Sequence, residues 1–348
     1  MGIKIFDQEA SFFMIWKLKG SILRTVLSAR KISNLVKVHA SMLLKKEMNW
    51  GVPYSILLEP TSKCNLKCPM CARTIYPEII SMRNNMDMPF PNFKKLMDEV
   101  GDRVMFLFLW NFGEPLINPD IFRMIEYAKK KKIFTLMSTN AYLLDSERAK
   151  KLIVSGLDYL IISFDGASKE SYEQYRKNSD FSRVTGNIEN FVKMKKAEGK
   201  ALPFTNLQFI LMKHNAGEVQ EIRKLAAKLG VDRTSFKKTI IYDDNLKDSL
   251  LPEDSKYKFN FYNKSGGEKI GCERPWVHMV VNCEGAVLPC CDDIKYSHYM
   301  GNALESGVKV IINNDKYTAF RKQVVDDIRK IDICKNCPRR LNELTLIG

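Results

Sequence analysis

The sequence predicts an α/β fold, a parallel sheet covered by helices, preceded by a basic helical extension and followed by a cysteine-rich region. Three observations predict it. From residue 54 onward, short apolar, β-rich runs alternate with longer amphipathic segments. The first 48 residues carry nine Lys or Arg against three acids, and six of the nine cysteines fall after residue 250. Continuous apolar runs mark strands buried on both faces, and the helical periodicity between them marks crossovers that keep the strands parallel. With 348 residues, 45% of them hydrophobic, the chain is long enough for one catalytic domain and a smaller appended one.

Within residues 1–48, Leu23, Val26 and Leu27 and then Ile32, Leu35 and Val36 recur at helical spacing. This basic extension reads either as helices packed on the catalytic domain or as an in-plane helix touching anionic lipid or a lipid-linked substrate. Its longest apolar run, 12–16, is far short of the roughly 20 residues a spanning helix needs, so the chain reads as cytoplasmic, with or without a peripheral membrane contact. Strand-like runs follow at 55–58, 104–109, 133–137, 159–163, 207–212 and 234–242, interleaved with helical stretches at 92–100, 121–131, 146–155, 168–177, 184–196 and 218–229. Gly156 and Gly230 stand where helices should stop. Six such units fit a partial α/β barrel or an open doubly wound sheet, and periodicity alone does not separate them. Beyond about residue 250 the regularity ends in a stretch at 256–267 rich in Lys, Tyr, Asn and paired Gly, and 277–288 reads as a hairpin turning at Glu284-Gly285.

The net charge of +15 admits nucleic acid, an anionic membrane or an acidic protein as partner. No recognition module, Arg-rich tract or basic run interleaved with aromatics is present, which argues against nucleic acid. In a large chain without a secretory start, grouped cysteines point to metal or redox chemistry rather than to a disulfide framework.

Cys64, Cys68 and Cys71 stand on the loop after the first strand, where α/β folds place active sites. Iron-sulfur clusters are normally held by four thiolates, so three leave one iron open to an outside ligand. Zinc knuckles instead favour paired C-x-x-C units. The run Cys64-Asn65-Leu66-Lys67-Cys68-Pro69-Met70-Cys71 resembles the hallmark C-x-x-x-C-x-aromatic-C of the radical S-adenosylmethionine (SAM) superfamily, with Met70 in the aromatic's place. The resemblance implies a partial (β/α)6 TIM-like barrel. It also implies a [4Fe–4S] cluster on these cysteines whose open iron binds SAM, and reductive cleavage of SAM to a 5'-deoxyadenosyl radical.

Other motifs follow in the order this resemblance requires. Asn111-Phe112-Gly113-Glu114-Pro115 is similar to the family's G-G-E-P, with Phe112 for the first glycine, and implies that Gly113 and Glu114 receive the cofactor's amino group. Ser138-Thr139-Asn140 and Ser163-Phe164-Asp165-Gly166 resemble the signatures around ribose and methionine, so Ser138, Asn140, Ser163 and Asp165 become cofactor contacts. Arg176 would pair with the cofactor carboxylate, against a solvated arginine as the plain alternative. Gln208 and Ile210 would touch the adenosine, against a plain core strand, and Met70 would cover the cluster or adenine.

Cys272, Cys290, Cys334 and Cys337 make a four-thiolate set that taken alone fits zinc and iron-sulfur equally. Cys272-Glu-Arg-Pro-Trp276, then Gly285, then Cys290-Cys291-Asp292 and a late C-x-x-C resemble the SPASM/twitch extension of radical SAM enzymes. That implies one auxiliary [4Fe–4S] cluster on the four cysteines, and domains at 1–48, 49–248 and 249–348. Cys283 and Cys291 are surplus, each a small buried hydrophobe or a hydrogen-atom donor, with Cys291 the better candidate for the catalytic role. His278 reads as structural. The expected reaction is hydrogen abstraction from a sugar-like, aminocyclitol or lipid-linked small molecule, completed as a dehydrogenation. The alternatives are epimerisation with a cysteine donor, peptide maturation and, outside catalysis, a zinc-binding interaction module. The partners expected are an acidic flavodoxin or ferredoxin and an anionic or lipid-linked substrate.

Overall fold

The computed structural model describes residues 4–5, 8–9, 12–26, 28–82, 86–241, 244–254, 271–335 and 337. The stretch at 256–267, the end of the last expected strand at 242 and the chain from 338 lie outside the described residues.

All six apolar runs form strands: β1 (Ser55–Leu58), β2 (Phe106–Leu109), β3 (Phe134–Thr139), β4 (Tyr159–Ser163), β5 (Phe204–Leu211) and β6 (Arg233–Lys238). Strand β5 begins three residues before its expected start because its polar residues are buried and paired. Thr205 hydrogen-bonds Asp232 and Asn206 hydrogen-bonds Ser235, both within 2.9 Å. The helices are α1 (Phe12–Val26), α2 (Ala29–Leu43), α3 (Phe90–Val100), α4 (Ile121–Lys130), α5 (Ser146–Val154), α6 (Lys169–Tyr175), α7 (Phe181–Ala197), α8 (Val219–Leu229) and α9 (Asp315–Asp327). Asp145 and Asp180 cap α5 and α7 by accepting from the backbone NH groups of Arg148 and Arg183. Gly230, at φ 72°, closes α8.

The hairpin forms as β7 (His278–Val281) and β8 (Ala286–Leu288), with β9 (Gly301–Asn302) beyond it. One sheet runs β9-β8-β7-β1-β2-β3-β4-β5-β6. From β7 to β6 every pairing is parallel, so the partial barrel has seven parallel strands where six were expected. The seventh is the first arm of the hairpin, which lies in register on β1 with Ser55 opposite His278. His278 is buried in this ladder: its Nδ1 lies 2.9 Å from Ser55 Oγ and its ring meets Phe108 edge-on.

Period-2 alternation sorts the strand residues into two faces. Leu58, Leu109, Leu160, Ile162, Leu207 and Phe209 pack outward on the helices. Phe134, Leu136, Tyr159, Ile161 and Phe204 face inward, and Met14 and Leu18 of α1 cover them. Lys17 of α1 reaches Asp232 at 2.5 Å, and Asp232 also binds Lys195 at 2.8 Å. The described part of the N-terminal extension is thus packed on the barrel, with α1 stopping the lower half of its interior. No helix among the described residues is long and apolar enough to cross a membrane.

Candidate active site

The loop after β1 is held from several sides before it reaches its cysteines. Ser62 N donates to Met86 O at 3.0 Å, Lys67 N to Lys177 O at 3.1 Å, and Asn118 Nδ2 to Pro60 O at 2.7 Å. Cys68 is buried and Cys64 and Cys71 are half-buried, in an apolar cluster with Leu66, Met70, Tyr175, Ile210 and Met212. Burial pushes the Cys64 thiol up to about 12 and raises Cys68 and Cys71, while Arg176 opposes the rise at Cys68 and the Arg73 amide and side chain oppose it at Cys71. Three buried soft donors that do not ionise readily on their own fit a cationic centre, which supplies the missing charge.

The ends of the next strands gather around this loop. Gly113 is placed where a Cβ would fall 1.8 Å from Thr61 O, and Glu114 N donates to Lys63 O at 2.8 Å. The Glu114 carboxylate accepts from Thr139 Oγ1 at 2.7 Å, Asn140 N at 2.8 Å and Leu116 N at 3.2 Å. Burial pushes this carboxyl up, and those three donors pull it back. Glu114 therefore ties the end of β2 to the end of β3, a role the motif did not disclose. Asn140 reaches Asn65 of the cysteine loop at 3.0 Å, and Ser138 Oγ lies 3.3 Å from Ser163 Oγ.

Arg176 is no surface arginine. Its guanidinium pairs with the fully buried Asp165 and points Nη1 at Cys68 Sγ, 3.9 Å away. Asp165 also accepts from Ile210 N at 2.8 Å. Gln208 and Ile210 alternate with the outward Phe209 and so face the interior, where Gln208 Nε2 is buried with no hydrogen-bond partner among the described residues. An orphaned buried amide is what a polar ligand seated on these strand ends would satisfy.

Replacing Gly113 by Ala is expected to cost about 1–3 kcal/mol through overpacking against backbone, read as a lower denaturation midpoint. Gly186, in α7 with nothing within 4 Å of its Cβ position, serves as the control. Gly186→Ala is expected to stabilise by about 0.4–1 kcal/mol.

The second cysteine group sits beside β7. Sulfurs of Cys290 and Cys291 and a carboxylate oxygen of Asp292 lie within 4.8 Å of one another. Arg274 Nη1 approaches Cys291 Sγ at 3.2 Å and Cys290 Sγ at 3.7 Å, and Cys337 Sγ is 3.9 Å from Asp292. Cys272 and Cys334 are half-buried against the main core. The Cys290 thiol, and then Arg274, hold Cys291 below the ordinary thiol range. Cys291 also packs with Leu57, Phe108, Trp110 and Val280, so it stands in the wall between this group and the barrel interior. Cys283 is elsewhere, fully buried 3.5 Å from Glu59 and 3.3 Å from Glu284.

The sequence reading missed Lys237. It sits opposite Ile210 in the β5–β6 ladder and therefore shares the inner face. Burial pulls it below the usual lysine range, and Cys291 and Asp165 pull it back up.

Residues 58–226 match the radical SAM superfamily, and residues 272–338 match SPASM, an iron-sulfur cluster-binding domain. The chain belongs to the radical SAM superfamily. As a radical SAM enzyme with a C-terminal SPASM domain, it uses SAM, a [4Fe–4S] cluster and an auxiliary iron-sulfur cluster, and it needs a reductant and a substrate. PqqA peptide cyclase of Gluconobacter oxydans is 25% identical to this radical SAM enzyme over 262 residues, 68% of this chain and 70% of the relative. Two further curated PqqA peptide cyclases are covered over 51% of their length. Among solved structures, Streptococcus suis SuiB bound to SAM superposes with a TM-score of 0.60 at 16% identity, covering 88% of this chain and 73% of that one. BtrN in complex with AdoMet and 2-DOIA gives 0.51 at 21% identity, covering 82% and 92%. At these identities the structures show a shared fold.

Proposed function

We propose that this radical SAM enzyme dehydrogenates a small anionic molecule held in the upper barrel, between the cofactor's strand ends and Cys291. In this reading residues 49–248 form the catalytic barrel, 249–348 the auxiliary domain and 1–48 the extension. Cys64, Cys68 and Cys71 hold the first cluster, and Cys272, Cys290, Cys334 and Cys337 the auxiliary one. When bound, the first cluster would supply the electron that cleaves SAM, the deoxyadenosyl group so released would take one hydrogen atom from a substrate C–H bond, and the auxiliary cluster would accept the second electron as the substrate loses a proton to solvent. The chain's own residues seat and orient the ligands: Gly113 and Glu114 at the amino group, Ser138, Asn140, Ser163 and Asp165 along the ribose and methionine, Arg176 near the carboxylate, and Gln208, Ile210 and Met70 at the adenosine.

The observation that carries the substrate class is Lys237. It is a partly buried ammonium on the inner face, and it makes no ion pair with a described residue. An unpaired buried charge is costly, and an anionic substrate group offsets that cost while fixing the substrate's orientation. A flavodoxin or ferredoxin, small and acidic, suits a chain of net charge +15 as electron donor.

The test is anaerobic turnover against panels of sugar phosphates and aminocyclitols. A product lacking a pair of hydrogens, formed in proportion to 5'-deoxyadenosine, is expected, and Lys237→Met should raise KM while leaving substrate-independent SAM cleavage intact. A product of unchanged oxidation level that carries solvent deuterium, and loses it in Cys291→Ala, would instead establish an epimerase. The likeness to PqqA peptide cyclase favours a second reading, peptide modification. A peptide cross-linked in the same assay, with the small molecules inert, would replace the first. Zinc in place of roughly eight irons per chain would remove both.

A further inference from the structure

Helix α2 buries three polar residues beside Val38 on its inward face. Lys31 Nζ donates to the carbonyls of Lys131 and Lys132 at 3.1 and 2.7 Å, Asn34 holds both the NH and the CO of Val52, and Ser41 accepts from Trp50 N. Its outward face carries large apolar residues among polar ones. Ile32 is 48% exposed, Val36 63% and Leu43 75%, and Leu44, Met48 and Trp50 just beyond are more than half exposed. Ile32, Val36 and Leu43 fall on one stripe of the helix, with Arg30 and Lys37 between that stripe and the buried face. An exposed apolar stripe of this kind marks an interaction surface.

Beside the patch opens a cleft of about 580 Å³ lined by Arg30, Lys37, Arg103 and Lys309, with Asn49 and Trp50. Asp102 answers Arg103 at 2.8 Å and Arg30 at 3.4 Å, whereas Lys37 and Lys309 have no ion-pair partner among the described residues. Val52 and Arg103, which border the cleft, lie three residues before the starts of β1 and β2. The cleft therefore lies at the opposite end of the sheet from the cysteine loop.

We infer that this face rests on an anionic phospholipid membrane, α2 lying in the interfacial plane. Ile32, Val36, Leu43, Leu44 and Trp50 enter the acyl boundary, and a headgroup phosphate occupies the cleft on Lys37 and Lys309. A basic helix with an apolar outer stripe and a bordering tryptophan has the composition that binds such an interface. A second copy of the chain does not suit it, because the cations around the patch would face their own kind. The catalytic mouth is left facing water. This inference is independent of the reaction proposed above.

Purified holoenzyme is pelleted with phosphatidylcholine vesicles made with and without phosphatidylglycerol. Pelleting with the anionic vesicles alone, weakened by salt, is expected. Lys37→Glu with Lys309→Glu should lower the partition coefficient at least about fivefold per site, and Leu43→Glu with Leu44→Glu roughly tenfold or more, with iron content and elution volume unchanged. Equal pelleting with both vesicle types, no pelleting, inorganic phosphate bound while vesicles stay unbound, or a dimer that the leucine variant splits without any vesicle binding would each overturn it.

Discussion

Cys68→Ala, reconstituted anaerobically, is expected to form no 5'-deoxyadenosine and to hold about four irons where the parent holds about eight. Of the loop cysteines Cys68 is the one in the buried class, and Arg176 points at it from 3.9 Å. Removing that sulfur takes away a ligand and leaves the guanidinium with Asp165 alone. Cys283→Ala is the counterpart. Its sulfur lies against Glu59 and Glu284, away from both cysteine groups, and iron should stay at about eight. Full iron content in Cys68→Ala would take Cys68 out of the ligand set.

Arg176→Met is expected to destabilise the fold by about 3–5 kcal/mol, because it strands a buried carboxylate. The Asp165 side chain is 0% exposed and its partner's 12%, so water does little to compensate. Asp165→Asn should cost less, since Asn still accepts from Ile210 N through its amide oxygen. Combining the two should restore part of the loss, as coupled neighbours do. Urea denaturation reads the stability, and equilibrium dialysis of SAM separates the two roles open to Arg176. If the arginine serves the fold alone, the double variant binds SAM as well as Asp165→Asn alone does. If it also meets the cofactor, stability returns while binding stays below that of Asp165→Asn.

Much of this architecture was legible in residue order. Strand runs, helix stops at Gly156 and Gly230 and the turn at Glu284-Gly285 are local features with local causes, and they appear where the pattern put them. The cysteine loop was legible because spacing along a chain limits spacing in space. What escaped depends on partners distant in sequence. Thr205 and Asn206 read as a loop because their polarity is visible and their partners Asp232 and Ser235 are not. Periodicity in α1 picked out Leu23 and Val26, whereas Met14 and Leu18 close the inside of the barrel and Leu23 is exposed. A lysine in a strand reads as solvated, so Lys237 drew no notice until the ladder set it opposite Ile210. Cys283 and Cys291 both read as spare thiols, with Cys291 the better donor candidate, and only the fold sends one to Glu59 and the other to Arg274.

The in-register ladder between β7 and β1 bears on electron tunnelling, whose rate falls steeply with distance. Both sulfur-bearing loops leave neighbouring parallel strands, one after Leu58 and the other after Val281 by way of the β7–β8 hairpin. Backbone hydrogen bonds, rather than a linker, join those strands. If those two loops hold the clusters as proposed, the gap an electron crosses between them is set when the sheet zips up.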